Sequence, residues 1–381
     1  MLATLRAMHL VKESAPEFEV IPDLDSAWSV EGSASRLAAV RKGAQALRER
    51  FASERPVLGV RSFELLTMAY PARFGFWGAA RLPIPYVLVR HRAVLVQFRQ
   101  DGELRNLLFN PTDVSQVSRA PYLAQQRERK AVLGRMFLRV HESLEPQLRR
   151  IGVTPEDIDY VAFDHFHLQD VRKLVGTGRG TPARFPRARL LTPRREWAQW
   201  EELHPLHSSF LIPDGKKGVP SERVVLTDHD LRLGDGVMLV RTPGHTAGHQ
   251  TLFFKTATGV WAITENGISA DNWSPHASRI PGIASRTQEQ GLEVLPNLGT
   301  AESGLDQYNA MVLEKTLVDR TLDDASFLQI LPSFEATASR LTPGVKPYMH
   351  PALSFGPLVL TDERAQHGWT PRPQPAIAHM V

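Results

Sequence analysis

Two histidines near the middle of the chain stand at a spacing that suits metal binding. His165 and His167 are separated by one residue and follow an apolar run, 158–163, that predicts a β-strand. Side chains two apart in an extended backbone point to the same side, so both imidazoles can reach one ion. Such a pair is weak support for a metal site until a third ligand is found.

A second histidine segment, 242–249, reads Thr-Pro-Gly-His-Thr-Ala-Gly-His and directly follows another predicted strand. Pro243 ends that strand and Gly244 permits a sharp turn, which can present His245 as a third imidazole. Three neutral imidazoles with an open fourth position are the donor set of a catalytic zinc site. The bound zinc would lower the pKa of a water molecule to near neutrality and so provide a hydroxide nucleophile.

The Pro-Gly-His-Thr-Ala-Gly-His run resembles a motif of metallo-β-lactamase-fold hydrolases such as glyoxalase II and the lactonases. The stretch 151–163 is similar to the helix, turn and strand that precede their His-x-His-x-Asp-His signature, and 233–236 matches the lead-in to their next strand. The two motifs stand in the family order, about eighty residues apart, and the resemblance covers roughly residues 83–360. It implies the α+β class and a four-layer αββα sandwich.

The resemblance assigns the family's first metal site to His165, His167 and His245. The second site is altered, because its signature aspartate falls at Gln169 and the following histidine falls at Asp170. The aspartate that bridges both ions falls at Asn266, and the last family histidine falls at His350. Neutral amides are poorer ligands than carboxylates for a divalent ion. We therefore predict one zinc ion, and leave open a second ion, iron or manganese.

Several side chains near these motifs have two interpretations. Asp170, alone or with His350, would take a proton or hold a weak second ion. Asp170 also opens a short predicted helix, where an N-terminal carboxylate is favourable without any metal. His249 is interpreted as a residue that orients its neighbours by hydrogen bonding. The carboxylates that could replace the lost ligands are Glu265 and Asp271, and the histidines interpreted as surface residues are His204, His207 and His229.

The composition is that of a globular protein: 381 residues, 42% apolar and 23% charged. The chain contains no cysteine, which excludes thiolate ligands and fits a cytoplasmic location. We find no signal peptide and no apolar stretch that approaches the ~20 residues of a membrane helix. A net charge of +4 is too small to indicate a nucleic-acid partner.

Basic residues concentrate in the segment 171–197, which holds eight Lys and Arg residues against one acid, Glu196. A solvated surface is the simpler interpretation of this charge. The functional interpretation is a basic rim that favours an anionic small-molecule substrate. The sequence leaves a homodimer open.

Periodicity predicts the elements that must position these side chains. Residues 1–80 are interpreted as an N-terminal extension, irregular apart from a helix over 33–52, and residues 81–381 as the metallo-β-lactamase-like domain. Runs at 85–90 and 93–98 predict two strands joined by a short turn. The later predicted elements are a strand at 107–109, a helix over 122–151 split at Pro146, strands at 158–163, 224–226, 237–241, 251–254 and 260–263, and two helices between 305 and 340.

The leading hypothesis is a metal-dependent hydrolase in which metal-bound hydroxide attacks an ester, lactone, thioester or phosphodiester bond. The alternative is a non-catalytic or metal-poor binding protein on the same fold, because two metal carboxylates are missing. An iron-dependent oxidoreductase ranks last, since the iron pairs found on this fold occupy carboxylate-rich sites.

Overall fold

A computed structural model describes residues 17–129, 138–178, 180–205, 207–298 and 304–360. The strands within these ranges are β1 (Glu19–Ile21), β2 (Gly59–Pro71), β3 (Tyr86–Gln100), β4 (Glu103–Phe109), β5 (Leu138–Val140), β6 (Tyr160–Ala162), β7 (Arg189–Pro193), β8 (Val224–Thr227), β9 (Asp230–Gly234), β10 (Val237–Arg241), β11 (Gln250–Thr256), β12 (Gly259–Thr264), β13 (Ile330–Pro332), β14 (Phe334–Thr337) and β15 (Ser354–Phe355). The α-helices there are α1 (Asp25–Trp28), α2 (Ser33–Ala52), α3 (Ala72–Gly75), α4 (Pro121–Arg129), α5 (Leu144–Arg150), α6 (Arg172–Val175), α7 (Arg194–Ala198), α8 (Ala270–Trp273), α9 (Ile283–Gln290) and α10 (Gly304–Leu317).

Two mixed sheets are formed by the described strands. One has six strands in the order β1-β9-β10-β11-β12-β13, with β12 and β13 parallel. The other has nine strands, with β15-β2-β3-β4-β6-β7-β8 in order, β14 paired with β3 and β5 paired with β2. In this larger sheet, β4, β6, β7 and β8 run parallel, so the chain segments that follow them emerge at the same edge.

The main core lies between the two sheets. Alternate residues of β10 point to opposite faces, so Val237 and Leu239 pack toward the other sheet while Met238 and Val240 face outward. Val96 on β3 belongs to the same inner cluster as Val237 and Leu239. Outside the sheets, α2 and α10 pack on the six-stranded sheet, and α5 and α6 pack on the nine-stranded one. The predicted α+β, αββα layering is therefore confirmed.

Both predicted runs, 85–90 and 93–98, fall in one continuous strand that begins at residue 86, β3, so the prediction of two strands and a turn is wrong. The polar residues interpreted as a turn are buried in the sheet and paired. His91 contacts the carbonyl oxygen of Ser333 through Nδ1 at 3.0 Å and Oγ1 of Thr112 through Nε2 at 2.7 Å. Arg92 forms an ion pair with Glu335 at 2.8 Å, and its side chain is 1% exposed.

The region 1–80 is not irregular where the structure describes it. The predicted helix is confirmed as α2, which buries its apolar face. However, β1 pairs with β9, and β2 pairs with β3 along almost its whole length, so this region contributes a strand to each sheet. Because β2 is buried on both faces, its residues do not alternate between apolar and polar, and periodicity could not identify it.

Other predicted boundaries are corrected by the structure. Pro146 lies in the first turn of α5, where its missing N–H costs nothing, and therefore does not split a longer helix. Between 305 and 340 the described residues contain one helix, α10, followed by β13 and β14. The strand predicted at 237–241 is confirmed with the same ends, and those predicted at 107–109, 158–163, 224–226, 251–254 and 260–263 are confirmed with shifted ends. Strands β7 and β9 were not predicted. Among the described helices, none combines the length and apolar character that crossing a membrane requires.

Candidate metal centre

His165 follows β6 at the edge where the parallel strands end, and the carboxylate of Asp164 holds it in place. Oδ1 of Asp164 accepts hydrogen bonds from the backbone N–H of His165 and from ring Nδ1, both at 2.8 Å. Oδ2 accepts from Nδ2 of Asn110 at 3.1 Å and from Oγ of Ser333. Since Nδ1 is occupied, Nε2 is the nitrogen of His165 that can bind a ligand, and it has no hydrogen-bond partner in the described ranges.

His167 contacts a histidine that the sequence did not assign to the site. Its Nε2 lies 3.4 Å from Nδ1 of His207, which is only 4% exposed. The interpretation of His207 as a surface residue is therefore wrong. The reason is a backbone hydrogen bond of 2.8 Å from Leu168 N–H to the carbonyl of Phe210, which holds the segment after α7 against the loop of His165 and His167.

His245 is presented by the sharp turn between β10 and β11. Gly244 has a φ of 143°, and a Cβ there would overlap the backbone of Gln307, so the turn requires glycine. The imidazole ring of His245 lies 4.6 Å from that of His165 and 5.2 Å from that of His167, between ring centroids. One ring nitrogen from each of these three histidines lies within 4.8 Å of the other two.

Burial keeps this histidine cluster uncharged. It lowers the pKa of His165 and His167 well below the usual value, and neighbouring imidazoles lower both further. Burial also lowers the pKa of His245 to about 4, although the charge of Asp164 raises it. Neutral imidazoles offer lone pairs, and an unpartnered, buried Nε2 on His165 needs a ligand. The residues present therefore fit a divalent ion such as zinc.

A second cluster overlaps the first. Ligand atoms of Asp164, His165 and His249 also lie within 4.8 Å of one another. Both oxygens of Asp164 already accept hydrogen bonds, and His165 has one lone-pair nitrogen to offer. The two clusters therefore share a donor that can bind only one ion at a time.

Glu265 is the carboxyl group beside the cluster. Its Oε2 lies 3.9 Å from Nε2 of His165, and the side chain lines the adjoining cavity. Burial and the nearby charge of Asp164 raise its pKa well above the usual value. Asn266 points the other way, donating from Nδ2 to Oε1 of Glu314 at 2.8 Å. Of the two carboxylates that the sequence offers as replacements, Glu265 is the one that lies beside the histidine cluster.

The other predicted site residues are not brought together with these histidines. Asp170 is paired with Arg119 at 2.8 Å and with Arg172 at 2.6 Å. Both ring nitrogens of His350 are engaged, Nδ1 with Glu335 at 2.9 Å and Nε2 with the Leu328 carbonyl at 3.1 Å. Gln169 is buried, and its Oε1 has no hydrogen-bond partner within the described ranges. Asp271 is bound by Ser269, Ser278 and the backbone of Tyr348.

Glu196 connects the two histidine loops, a role that sequence reasoning missed. Its Oε1 accepts from the N–H of Phe166 at 2.8 Å, and its Oε2 accepts from Oγ1 of Thr246 at 2.6 Å. The side chain is 1% exposed. Gly248 packs directly on the Glu196 backbone, where a Cβ would overlap the main chain. The available signal was that Glu196 is the one acid in a basic segment.

An apolar cavity of about 40 Å³ adjoins the cluster. Its apolar and aromatic walls are Met68, Tyr70, Tyr122, Leu168, Phe210 and Phe334, and its polar wall is His167, His245 and Glu265. This volume is smaller than that of a typical small-molecule site. No lysine or arginine is found among these described wall residues.

The predicted basic rim is largely neutralised by ion pairs. Arg172 is paired with Asp170 at 2.6 Å, and Arg184 with Glu145 at 2.8 Å. Similar pairs with acids are formed by Arg187, Arg189 and Arg194. These contacts favour the simpler interpretation of a solvated, paired surface, although Arg179 lies outside the described residues.

Comparison with known proteins places the chain among distant relatives. No protein-family model matches it. An N-acyl homoserine lactonase from Bacillus sp is 28% identical over 109 residues, which are 29% of this chain and 38% of the relative. The N-acyl homoserine lactonase from Bacillus cereus is 29% identical over 111 residues, again 29% and 38% of the two chains. The match thus spans well under half the length of these curated relatives.

Solved structures of similar proteins include a quorum-quenching N-acyl homoserine lactone lactonase, with 18% identity and a TM-score of 0.42 over 62% of this chain and 87% of that one. A dizinc quorum-quenching lactonase in complex with a product has 14% identity and a TM-score of 0.39, over 63% and 85% of the chains. The predicted resemblance is confirmed as a distant and partial relationship to lactonases of the metallo-β-lactamase fold.

Proposed function

We propose that this protein is a metal-dependent hydrolase that binds one divalent cation through His165, His167 and His245. Zinc is the cation that we propose first. The observation that carries the proposal is the convergence of three buried, neutral imidazoles from two loops beside a cavity. A divalent ion bound there supplies Lewis acidity, which polarises a carbonyl or phosphoryl group and activates water.

The protein's own residues prepare the site for hydrolysis. Asp164 holds the Nδ1 hydrogen of His165 and so fixes the orientation of that ring. Glu265 faces the cavity 3.9 Å from Nε2 of His165, where its carboxyl group can accept or return a proton. We assign this acid–base role to Glu265 rather than to Asp170, because Asp170 is held by two arginines.

The walls of the cavity favour a substrate with an uncharged, apolar body next to the bond that is hydrolysed. Aromatic and aliphatic side chains bind such a body by excluding water, and no basic side chain of the described wall would pair with an anion. Esters, lactones and thioesters with an apolar acyl group fit this chemistry better than a charged phosphodiester. Since the two Bacillus relatives are named lactonases, a lactone is the first substrate to test.

The test combines metal content with hydrolysis. Full-length protein and a His245→Ala variant are purified in parallel, with the exposed His276→Ala variant as a matched control. Metal is measured by mass spectrometry, and hydrolysis of a lactone, an aryl ester and a thioester is followed before and after chelation. We expect about one equivalent of metal, lost only in His245→Ala, and hydrolysis that chelation abolishes and zinc restores.

Two outcomes would contradict the proposal. Wild-type metal content no higher than that of His245→Ala would show that the three imidazoles do not form a metal site. The second outcome is that the protein binds metal but hydrolyses none of the three substrate classes, and that it still binds a lactone after chelation. This result would favour a non-catalytic binding protein.

A further inference from the structure

A buried carboxylate on α10 holds both residues that flank Glu265. Glu314 is 0% exposed, and its Oε1 accepts hydrogen bonds at 2.8 Å from Oγ1 of Thr264 and from Nδ2 of Asn266. Burial raises the pKa of Glu314 to about 7, so in mildly alkaline solution the group is an anion that can only accept. Hydrogen bonds to a charged acceptor are stronger than those between neutral groups, so these two contacts fix the flanking side chains.

The direction of the Glu265 side chain is set by its neighbours in the chain. Its Oε2 lies 3.9 Å from Nε2 of His165, which is too long for a hydrogen bond that could orient the carboxyl group. The side chains of Thr264 and Asn266 both turn to Glu314, so the side chain between them turns to the opposite side. There it lines the cavity beside the histidine cluster.

The backbone that follows the acid–base residue is fixed from the same helix. The carbonyl of Asn266 accepts from Nε2 of Gln307 at 3.0 Å, and Gln307 lies seven residues before Glu314, on the same face of α10. Gly267 packs on the ring of Trp273, where a Cβ would lie 2.9 Å from two ring carbons. Nε1 of that tryptophan donates to Oε2 of Glu314 at 2.8 Å. Both oxygens of Glu314 thus hold this segment or the ring that supports it.

We propose that Glu314 is a positioning residue that directs the carboxyl group of Glu265 toward the metal centre by holding Thr264 and Asn266. The inference rests on the proposed function, since it presupposes that Glu265 transfers protons there. It also gives Asn266 a role. A carboxylate at position 266 would meet the like charge of Glu314, whereas the amide donates a hydrogen bond to it. An amide at 266 and a carboxyl group at 265 are thus the arrangement that Glu314 favours.

The experiment compares two buried threonines that donate to the same oxygen of Glu314. Thr264 adjoins Glu265 and donates at 2.8 Å, whereas Thr251 on β11 donates at 2.7 Å, and both are 0% exposed. Valine keeps the shape of threonine without its hydroxyl, so Thr264→Val and Thr251→Val each remove one hydrogen bond from the same acceptor. Only the first of them lies next to the acid–base residue.

The full-length wild type, both valine variants, Glu314→Ala and Glu265→Gln are assayed with zinc at pH 8. The substrate is whichever lactone, aryl ester or thioester the wild type hydrolyses fastest. Each protein gives a kcat, a KM and a zinc affinity, the last by competition with a chromophoric chelator.

We expect Glu265→Gln to lower kcat about 10²–10⁴-fold, the contribution typical of a general acid–base group. Misplacement of a reacting group by about 1 Å costs up to about 100-fold, so Glu314→Ala should lower kcat about tenfold or more and Thr264→Val about threefold or more. Thr251→Val should keep the wild-type kcat. KM and zinc affinity should stay within about twofold of the wild type in both valine variants, since a general loss of packing would change them as well.

Equal kcat values in Thr264→Val and Thr251→Val would overturn the inference, and this comparison decides it alone if Glu314→Ala fails to fold. Full activity in Glu265→Gln would also overturn it, while zinc-dependent hydrolysis by the wild type would leave the metal-dependent hydrolase standing. The two failures can therefore be told apart. A wild-type protein without zinc-dependent hydrolysis would refute both proposals together.

Discussion

Replacement of Glu196 by alanine is expected to separate the two histidine loops and to destabilise the protein. The Glu196 carboxylate accepts from the N–H of Phe166, which lies between His165 and His167, and from Oγ1 of Thr246, which follows His245. Both hydrogen-bond donors lie in residues that are 0% exposed, so bulk water does not reach them in the native fold.

The expected magnitude follows from these two contacts. Each buried donor left without an acceptor costs about 1–3 kcal/mol, so Glu196→Ala should lower the free energy of unfolding by about 2–6 kcal/mol. Glu196→Gln keeps one carbonyl oxygen and should lose about half as much, roughly 1–3 kcal/mol. Since the loops position the histidines, zinc affinity should fall in the same order, with Glu196→Ala the more affected.

Urea unfolding followed by tryptophan fluorescence measures the stability loss, in the presence of a chelator so that bound metal does not contribute. The exposed Glu202→Ala variant, six residues further along the chain, is the control and should change stability by less than about 0.5 kcal/mol. A Glu196→Ala protein within about 1 kcal/mol of the wild type, with unchanged zinc affinity, would refute the role of Glu196 in joining the loops.

Three further predictions concern packing, pH and metal binding. Gly248→Ala places a Cβ against the Glu196 backbone and should cost about 1–3 kcal/mol or more in urea unfolding, whereas Gly178→Ala, whose nearest contact is 3.9 Å, should not. The pKa of Glu314 is about 7 in the folded protein and near 4.5 in the unfolded chain, so the native state binds the extra proton between these values. The free energy of unfolding should therefore fall by about 2 kcal/mol from pH 5 to pH 7. Glu314→Gln should remove this slope, and equal slopes in both proteins across pH 5–8 would contradict it. Zinc at about 100 times its dissociation constant should stabilise the wild type by about 2.7 kcal/mol in thermal unfolding but leave His245→Ala unchanged.

The parts of the fold that could be predicted are those whose physical cause is local. Strand β10 is a short run of apolar, β-favouring residues, Val237 to Val240, followed by Arg241, and this composition predicts a strand without knowledge of distant partners. The middle of β3 could not be predicted, because His91 and Arg92 are satisfied by Ser333 and Glu335, more than two hundred positions away. Two polar residues between apolar runs predict a turn when their distant partners are unknown.

The same distinction applies to the metal centre. The spacing of His165 and His167 is local information, whereas the addition of His245, about eighty residues away, is implied by the resemblance to metallo-β-lactamase-fold hydrolases. The structure brings these three residues together. Glu196 and His207 reach the centre through contacts made only after the chain has folded. No residue pattern near either one indicates which loop it will touch, so neither role could be read from the sequence.

The position of Glu265 follows from the way neighbouring side chains point to opposite sides of the backbone. A comparison of motifs does not consider this alternation. Thr264 and Asn266, two residues apart, both donate to Oε1 of Glu314 at 2.8 Å and so face away from the cluster. The intervening side chain therefore points to the other side, toward His165. A comparison by motif aligned the family aspartate with Asn266, whereas the fold places a carboxyl group at the neighbouring residue. Glu265 is thus a carboxyl group beside the imidazoles whose oxygens are not already engaged as those of Asp164 are, which supports its assignment as the acid–base residue of the proposed hydrolase.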